Sequence, residues 1–154
     1  MSPDTGEVLG RDAVRLGLAA TDKLDALHQC GAVLVEIGAA TEEYAAAILE
    51  RERSVSTYLG EGVAIPHGTD ASREHIKRAA LAVLQFPAGV DWNGHDCRLA
   101  IAIASRSDEH IAILQSLAVV LSDKDKAARL RETDDVDEVL ALLAPGQDEE
   151  EDDG

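Results

Sequence analysis

The amino-acid sequence predicts an α/β fold: a single domain with a mixed β-sheet of about four to five strands flanked by α-helices. Three observations predict it. Residues 98–105 enclose the apolar run Leu-Ala-Ile-Ala-Ile-Ala, as expected of a strand buried on both faces. Two stretches, opening near Thr21 and Thr41, carry apolar residues at helical spacing. Helix-like and strand-like segments also mix along the chain without strict alternation, which points to a mixed sheet covered by helices.

The elements follow in order. Val14 to Leu18 is a short expected strand. Thr21 is placed to cap a helix whose Leu24, Leu27, Gly31 and Leu34 share a face. A second helix opens at Thr41-Glu42-Glu43, cap plus acidic first turn, and runs through Tyr44, Ala47, Ile48 and Arg51. Val63 to Ile65 forms a short strand. Ala80 to Phe86 reads as an apolar strand that Pro87 breaks, with Gly89 to Trp92 as a separate edge segment. After strand 98–105, a helix sets His110, Ile113, Leu114, Leu117 and Leu121 on one face. Two short helices, near 123–131 and 135–143, close the domain before Pro145-Gly146.

With 154 residues and 45% hydrophobic content, one core-bearing domain over residues 1–146 is expected. Aromatic residues are few, so Ala, Val, Leu and Ile fill the core. No apolar run reaches the roughly 18 residues of a membrane span, and the N-terminus has no signal-peptide pattern. The expectation is a soluble, cytoplasmic protein. Cys30 and Cys97 fit neither a disulfide framework nor a zinc pattern and read as small core residues.

The net charge is −16, and residues 148–153 are all acidic, so residues 147–154 read as a disordered acidic tail. Without those six carboxylates the remainder still carries −10. Four lysines stand against ten arginines. An acidic, lysine-poor surface suits a halophilic cytoplasm, where salt screens self-repulsion; an ordinary acidic bacterial protein fits as well. Such a surface argues against nucleic acid and anionic membranes as partners.

The candidate chemistry begins at residues 57–69. There Val63-Ala64-Ile65 ends in Pro66, His67 and Gly68, with Gly62 before the run. This presents an imidazole at the end of a rigid element with little bulk behind it. An ordinary strand followed by a turn has the same pattern. His110 follows the buried strand 98–105 and starts the next helix, where sheet proteins place ligands and helix N-termini attract anions. A partly buried histidine bonded to a carbonyl fits these facts equally. Arg51 falls seven residues after Tyr44, nearly two helical turns, so it continues the inward face, whereas Arg53 faces water. An inward arginine needs an anionic partner, either a structural carboxylate or a ligand. His28 reads as a boundary residue and His75 as part of a solvated face. His95 and Cys97 with Asp96 supply too few ligands for a metal site, and no cofactor is implied. Two histidines and one inward arginine, without a phosphate-cradling Gly-rich loop, fit phosphoryl transfer to an imidazole. A Ser-His-Asp hydrolase is less supported, because no Gly-x-Ser-x-Gly elbow occurs.

These residues carry a resemblance over roughly residues 13–144. Glu43-Tyr44 with Ile48-Leu49-Glu50-Arg51-Glu52, the stretch from Thr57-Tyr58-Leu59-Gly60 to Ile65-Pro66-His67-Gly68-Thr69, and Glu109-His110-Ile111 resemble the enzyme IIA component of the sugar phosphotransferase system, mannitol/fructose class. The resemblance implies that His67 accepts a phosphoryl group through Nε2, with His110 and Arg51 as its supporting pair. It implies HPr as donor and a IIB cysteine as acceptor, feeding uptake and phosphorylation of mannitol or fructose. A free-standing, mannitol-type relay subunit is the expectation. The alternative is a regulatory, nitrogen-type IIA that controls partners through its phosphorylation state. A docking patch for both partners is expected around Ala64, Ile65, Gly68 and Ile111, apolar within an otherwise acidic surface.

Overall fold

Two long antiparallel strands set the frame, and a tight turn joins them. Asn93 and Gly94 both adopt positive φ, 56° and 91°, the conformation a two-residue type I′ hairpin requires. The turn registers β4 (Ala80–Trp92) against β5 (His95–Ala104), with Trp92 opposite His95 and Ala80 opposite Ala104. In this computed structural model residues 9–105 and 115–143 are described.

Three shorter strands complete the sheet: β1 (Val14–Arg15), β2 (Tyr58–Gly60) and β3 (Val63–Ala64). The spatial order is β1-β4-β5-β3-β2. β1 runs parallel to β4, β3 runs parallel to β5, and the other two pairings are antiparallel. The sheet is therefore mixed and five-stranded, as expected. Residues Leu99 to Ala104 are all fully buried, which explains why β5 shows no polar alternation in sequence.

β4 corrects one expectation. Pro87 does not end the strand; the register shifts between Gln85 and Val90, and Pro87 and Ala88 protrude into solvent. A bulge absorbs the missing N–H, and β1 pairs only with Val83 and Leu84, so no ladder bond is lost at the proline.

Helices α1 (Lys23–Glu36) and α2 (Glu42–Ser54) pack as a pair against this sheet. The cap of α1 is Asp22, one residue beyond Thr21. Its carboxylate accepts from the Asp25 amide (2.8 Å), and the Asp25 carboxylate accepts from the Thr21 amide (2.9 Å), tying the residue before the cap to the first turn. Leu24 is consequently 52% exposed, and the buried stripe is Ala26, Leu27, Cys30, Gly31, Val33 and Leu34. Gly31 lets the two helices touch: a Cβ there would sit 2.7 Å from the Ala45 Cβ. α2 starts at Thr41 as expected, and Tyr44, Ala47, Ile48 and Glu52 are its buried residues.

Residues 115–121 are helical, with Leu117 and Leu121 in the core. The expected helix start, with His110, Ile111, Ile113 and Leu114, lies outside the described residues, as does the 147–154 tail. α3 (Lys124–Glu132) and α4 (Val136–Leu142) follow where the sequence places them. Among the described residues, no helix is long and apolar enough to cross a membrane.

Candidate active site

The site forms where the ends of two parallel strands meet the last turns of α2. β3 pairs with Leu99 and Ala100, and the chain keeps this direction beyond the strand. The Ile103 amide donates to the Pro66 carbonyl (2.9 Å), and His67 bridges to Ile103. Proline lacks a donor but keeps its acceptor, so it extends the strand while fixing the backbone just before the histidine. The carboxyl ends of sheet strands are the usual place for a ligand crevice.

Tyr44 locks this corner. Its hydroxyl donates to the Ile103 carbonyl (2.7 Å) and accepts from the Gly68 amide (2.9 Å). Burial raises the tyrosine pKa, so the phenol stays neutral and keeps its proton for Ile103. Gly68 is required by the ring's approach, since a Cβ there would lie 2.6 Å from both Tyr44 Cε1 and Ser72 Oγ.

The His67 ring is oriented by its own chain. Nδ1 lies 2.9 Å from the Ile65 carbonyl, an acceptor only, so Nδ1 carries the proton and the lone pair resides on Nε2. Burial holds the imidazole pKa below the ordinary 6.5, aided by the nearby charges of Arg51 and Arg73 and opposed by the Ile65 bond and Glu52. At neutral pH the ring is therefore uncharged and nucleophilic.

His67, Tyr44, Arg51, Gly68, Thr69, Asp70, Arg73 and Ser105 line a cavity of about 180 Å³. Arg51 reaches it from the last turn of α2, where its guanidinium donates to the Val55 carbonyl (2.7 Å). Among the described residues no carboxylate pairs with Arg51, and Arg53 is exposed; helical phase separates the two arginines as the sequence suggests. A cavity with two guanidiniums and one carboxylate is suited to an anion.

The structure brings Arg51 and His67 to one cavity. His110 and Ile111 lie outside the described residues. The expected docking patch needs correction: Ala64 is 0% exposed, Ile65 has only 9%, and Gly68 is buried. They form the inner wall behind His67 because β3 is covered on both faces, so they offer a partner almost no surface. His95 is exposed and stacks on Tyr58 (centroids 4.6 Å apart), while Cys97 is buried, its thiol pushed up to about 11 by burial. The two do not converge. Among the described residues no group of three or more His, Cys, Asp or Glu could hold a metal ion.

Sequence reasoning missed three contributors. Arg73 is returned to the cavity by a 3-10 turn, Asp70–His75, capped by Thr69. The signal was Thr69 followed by Ser72, a cap three residues ahead of its amide partner. Ser105 is simply the last residue of the β5 path. Glu52 is 5% exposed. It lies four residues after Ile48 and eight after Tyr44, on the same buried stripe. Its carboxylate accepts from the Thr57 hydroxyl (2.6 Å), the Thr57 amide (3.0 Å) and the Trp92 indole (3.0 Å), and pairs with Lys23 (3.0 Å). Burial alone would raise its pKa, but the Thr57 bonds and Lys23 outweigh burial and lower it.

With this geometry in view, comparison with known proteins is decisive. The family described as "Phosphoenolpyruvate-dependent sugar phosphotransferase system, EIIA 2" matches residues 7–145. The chain belongs to the EIIA 2 family. Among EIIA 2 relatives, the mannitol-specific EIICBA component of Pasteurella multocida is 40% identical over 146 residues, covering 92% of this chain and 23% of its own length. The mannitol-specific phosphotransferase enzyme IIA component of Staphylococcus aureus is 33% identical over 137 residues, covering 89% of this chain and 95% of that protein. The chain thus spans about a quarter of the multidomain relatives and nearly all of the single IIA component. The complex of mannitol enzyme IIA with phosphorylated enzyme IIB from Escherichia coli superimposes with a TM-score of 0.83 at 38% identity, covering 88% of this chain and 96% of that one. The chain therefore shares its fold with solved mannitol enzyme IIA.

Proposed function

We propose that the chain is a phosphocarrier subunit of a mannitol- or fructose-type sugar phosphotransferase system. It accepts a phosphoryl group from the phosphohistidine of HPr on His67 Nε2 and passes it to a cysteine of a IIB domain. One observation carries the reading. His67 Nδ1–H donates to the Ile65 carbonyl, in a ring that burial keeps neutral, beside the Arg51 guanidinium. A neutral, tautomer-locked imidazole is a nucleophile, and the Arg51 guanidinium matches the negative charge that spreads over the transferring oxygens.

In the transfer, the Nε2 lone pair forms a bond to phosphorus while the donor N–P bond breaks and its electron pair returns to the donor nitrogen. Nδ1 keeps its proton and goes on donating to the Ile65 carbonyl, which stabilises the positive charge the ring acquires. Arg51, held by Val55, supplies a fixed positive group. His110 completes the site in this proposal on sequence grounds. IIB as a partner is supported by the Escherichia coli complex and by relatives whose names join A, B and C components. The docking surface is proposed at the rim, around Val55, which is 63% exposed and whose carbonyl accepts from Arg51.

The test is to incubate the protein with phosphoenolpyruvate, enzyme I and HPr, and to measure acid-labile, alkali-stable phosphate. One phosphoryl group per chain is expected, and none on His67→Ala. Loading of His67→Ala at the wild-type level would place the nucleophile elsewhere.

A further inference from the structure

Arg73 and Asp70 form a pair that the relay reading does not use. Thr69 caps their 3-10 turn: its hydroxyl accepts from the Ser72 amide (3.2 Å), and its carbonyl accepts from the Ser72 hydroxyl (2.6 Å). The turn carries Arg73 back to the cavity that His67 and Arg51 line. There one guanidinium nitrogen of Arg73 meets Asp70 Oδ1 at 3.1 Å. The Asp70 side chain is 94% exposed, whereas that of Arg73 is 35% exposed.

This asymmetry matters. An exposed carboxylate three residues away, engaging a single guanidinium nitrogen, makes one of the weakest kinds of ion pair. A phosphoryl group offers more charge and several oxygens, which suit the planar guanidinium fork better. The two arginines are also held differently. Arg51 is tied to a backbone carbonyl that carries no net charge, whereas the partner of Arg73 is an acid that a second anion displaces.

We infer that Arg73 is a second phosphoryl-binding residue, held by Asp70 in the unphosphorylated protein and transferred to the phosphoryl oxygens when His67 is loaded. The inference rests on the relay reading for the identity of the group carried. Asp70 then acts as a placeholder: it neutralises Arg73 between turnovers and competes with the phosphoryl group, keeping loading readily reversible. Arg73 also lies close enough for its charge to disfavour protonation of His67.

The experiment uses phosphoramidate as a small phosphoryl donor, so that no protein partner is needed, and follows acid-labile phosphate on the intact chain. Wild type, Arg73→Gln, Arg73→Lys, Asp70→Asn and His67→Ala are compared, with thermal midpoints measured alongside. Arg73→Gln is expected to load at least ~10-fold more slowly, and Arg73→Lys to recover part of that loss. Asp70→Asn is expected to load at least as fast as wild type and to keep its phosphate severalfold longer once the donor is removed. Equal loading of Arg73→Gln and wild type would overturn the inference while leaving the relay reading intact. So would an Asp70→Asn defect as large as that of Arg73→Gln, since the pair would then be structural. A wild-type chain that loads no better than His67→Ala would remove both. Loading by phosphoramidate but not by phospho-HPr would remove the relay reading alone.

Discussion

Replacing Glu52 with alanine perturbs a buried, heavily bonded side chain near the site. Its carboxylate serves the Thr57 amide and hydroxyl, the Trp92 indole and Lys23. In Glu52→Ala the Thr57 amide and the Trp92 N–H stay buried without this acceptor, at roughly 1–3 kcal/mol each. Lys23 keeps Asn93 Oδ1 at 3.1 Å and some access to water, so it adds little. Relief of the desolvation of the carboxylate offsets part of the loss. The net is about 3–5 kcal/mol, in line with breaking one side of a buried pair, and a large share of the 5–15 kcal/mol typical of a domain. At about 2–4 °C per kcal/mol, the melting temperature falls by roughly 6–20 °C. Urea titration followed by far-UV circular dichroism and by the fluorescence of Trp92, the sole tryptophan, measures this with the m-value as a check. The indole emission should also shift, because its N–H partner is gone. A loss below about 1 kcal/mol would refute the reasoning and mean that water or Lys23 replaces the carboxylate without cost.

Two other outcomes follow from the same geometry. The native state favours neutral His67, with a pKa below 6.5, so the unfolded chain takes up its proton first as pH falls. Stability should therefore drop as pH decreases from about 6.5 toward the lower folded value, and His67→Gln should flatten that slope; an NMR titration placing the His67 ring at or above 6.5 would contradict it. Gly68→Ala should drive a methyl into Tyr44 and Ser72 and cost about 1–3 kcal/mol together with most phosphoryl acceptance; a melting temperature and loading equal to wild type would show that the corner relaxes freely.

Legibility in the sequence tracked how local each signal was. β5 was readable because all of Leu99 to Ala104 are buried and apolar, and Arg51 because helical phase alone sets its direction. The same rule would have found Glu52, but an acid on a buried stripe is recognisable only through partners brought by three other segments: Lys23, Thr57 and Trp92. Pro87 signals a strand end unless a bulge takes it up, and whether one does depends on what β1 pairs with. The patch of Ala64, Ile65 and Gly68 failed for a related reason: adjacency to His67 in sequence puts residues behind it in the sheet, not beside it on the surface. Arg73 required the three-dimensional return of a capped turn.

The most direct measurement of the central claim is ³¹P NMR of the wild-type chain after incubation with phosphoenolpyruvate, enzyme I and HPr, compared with His67→Ala. One phosphohistidine resonance of the Nε2 type is expected in wild type and none in the variant. A resonance of the Nδ1 type, or one that persists in His67→Ala, would contradict it.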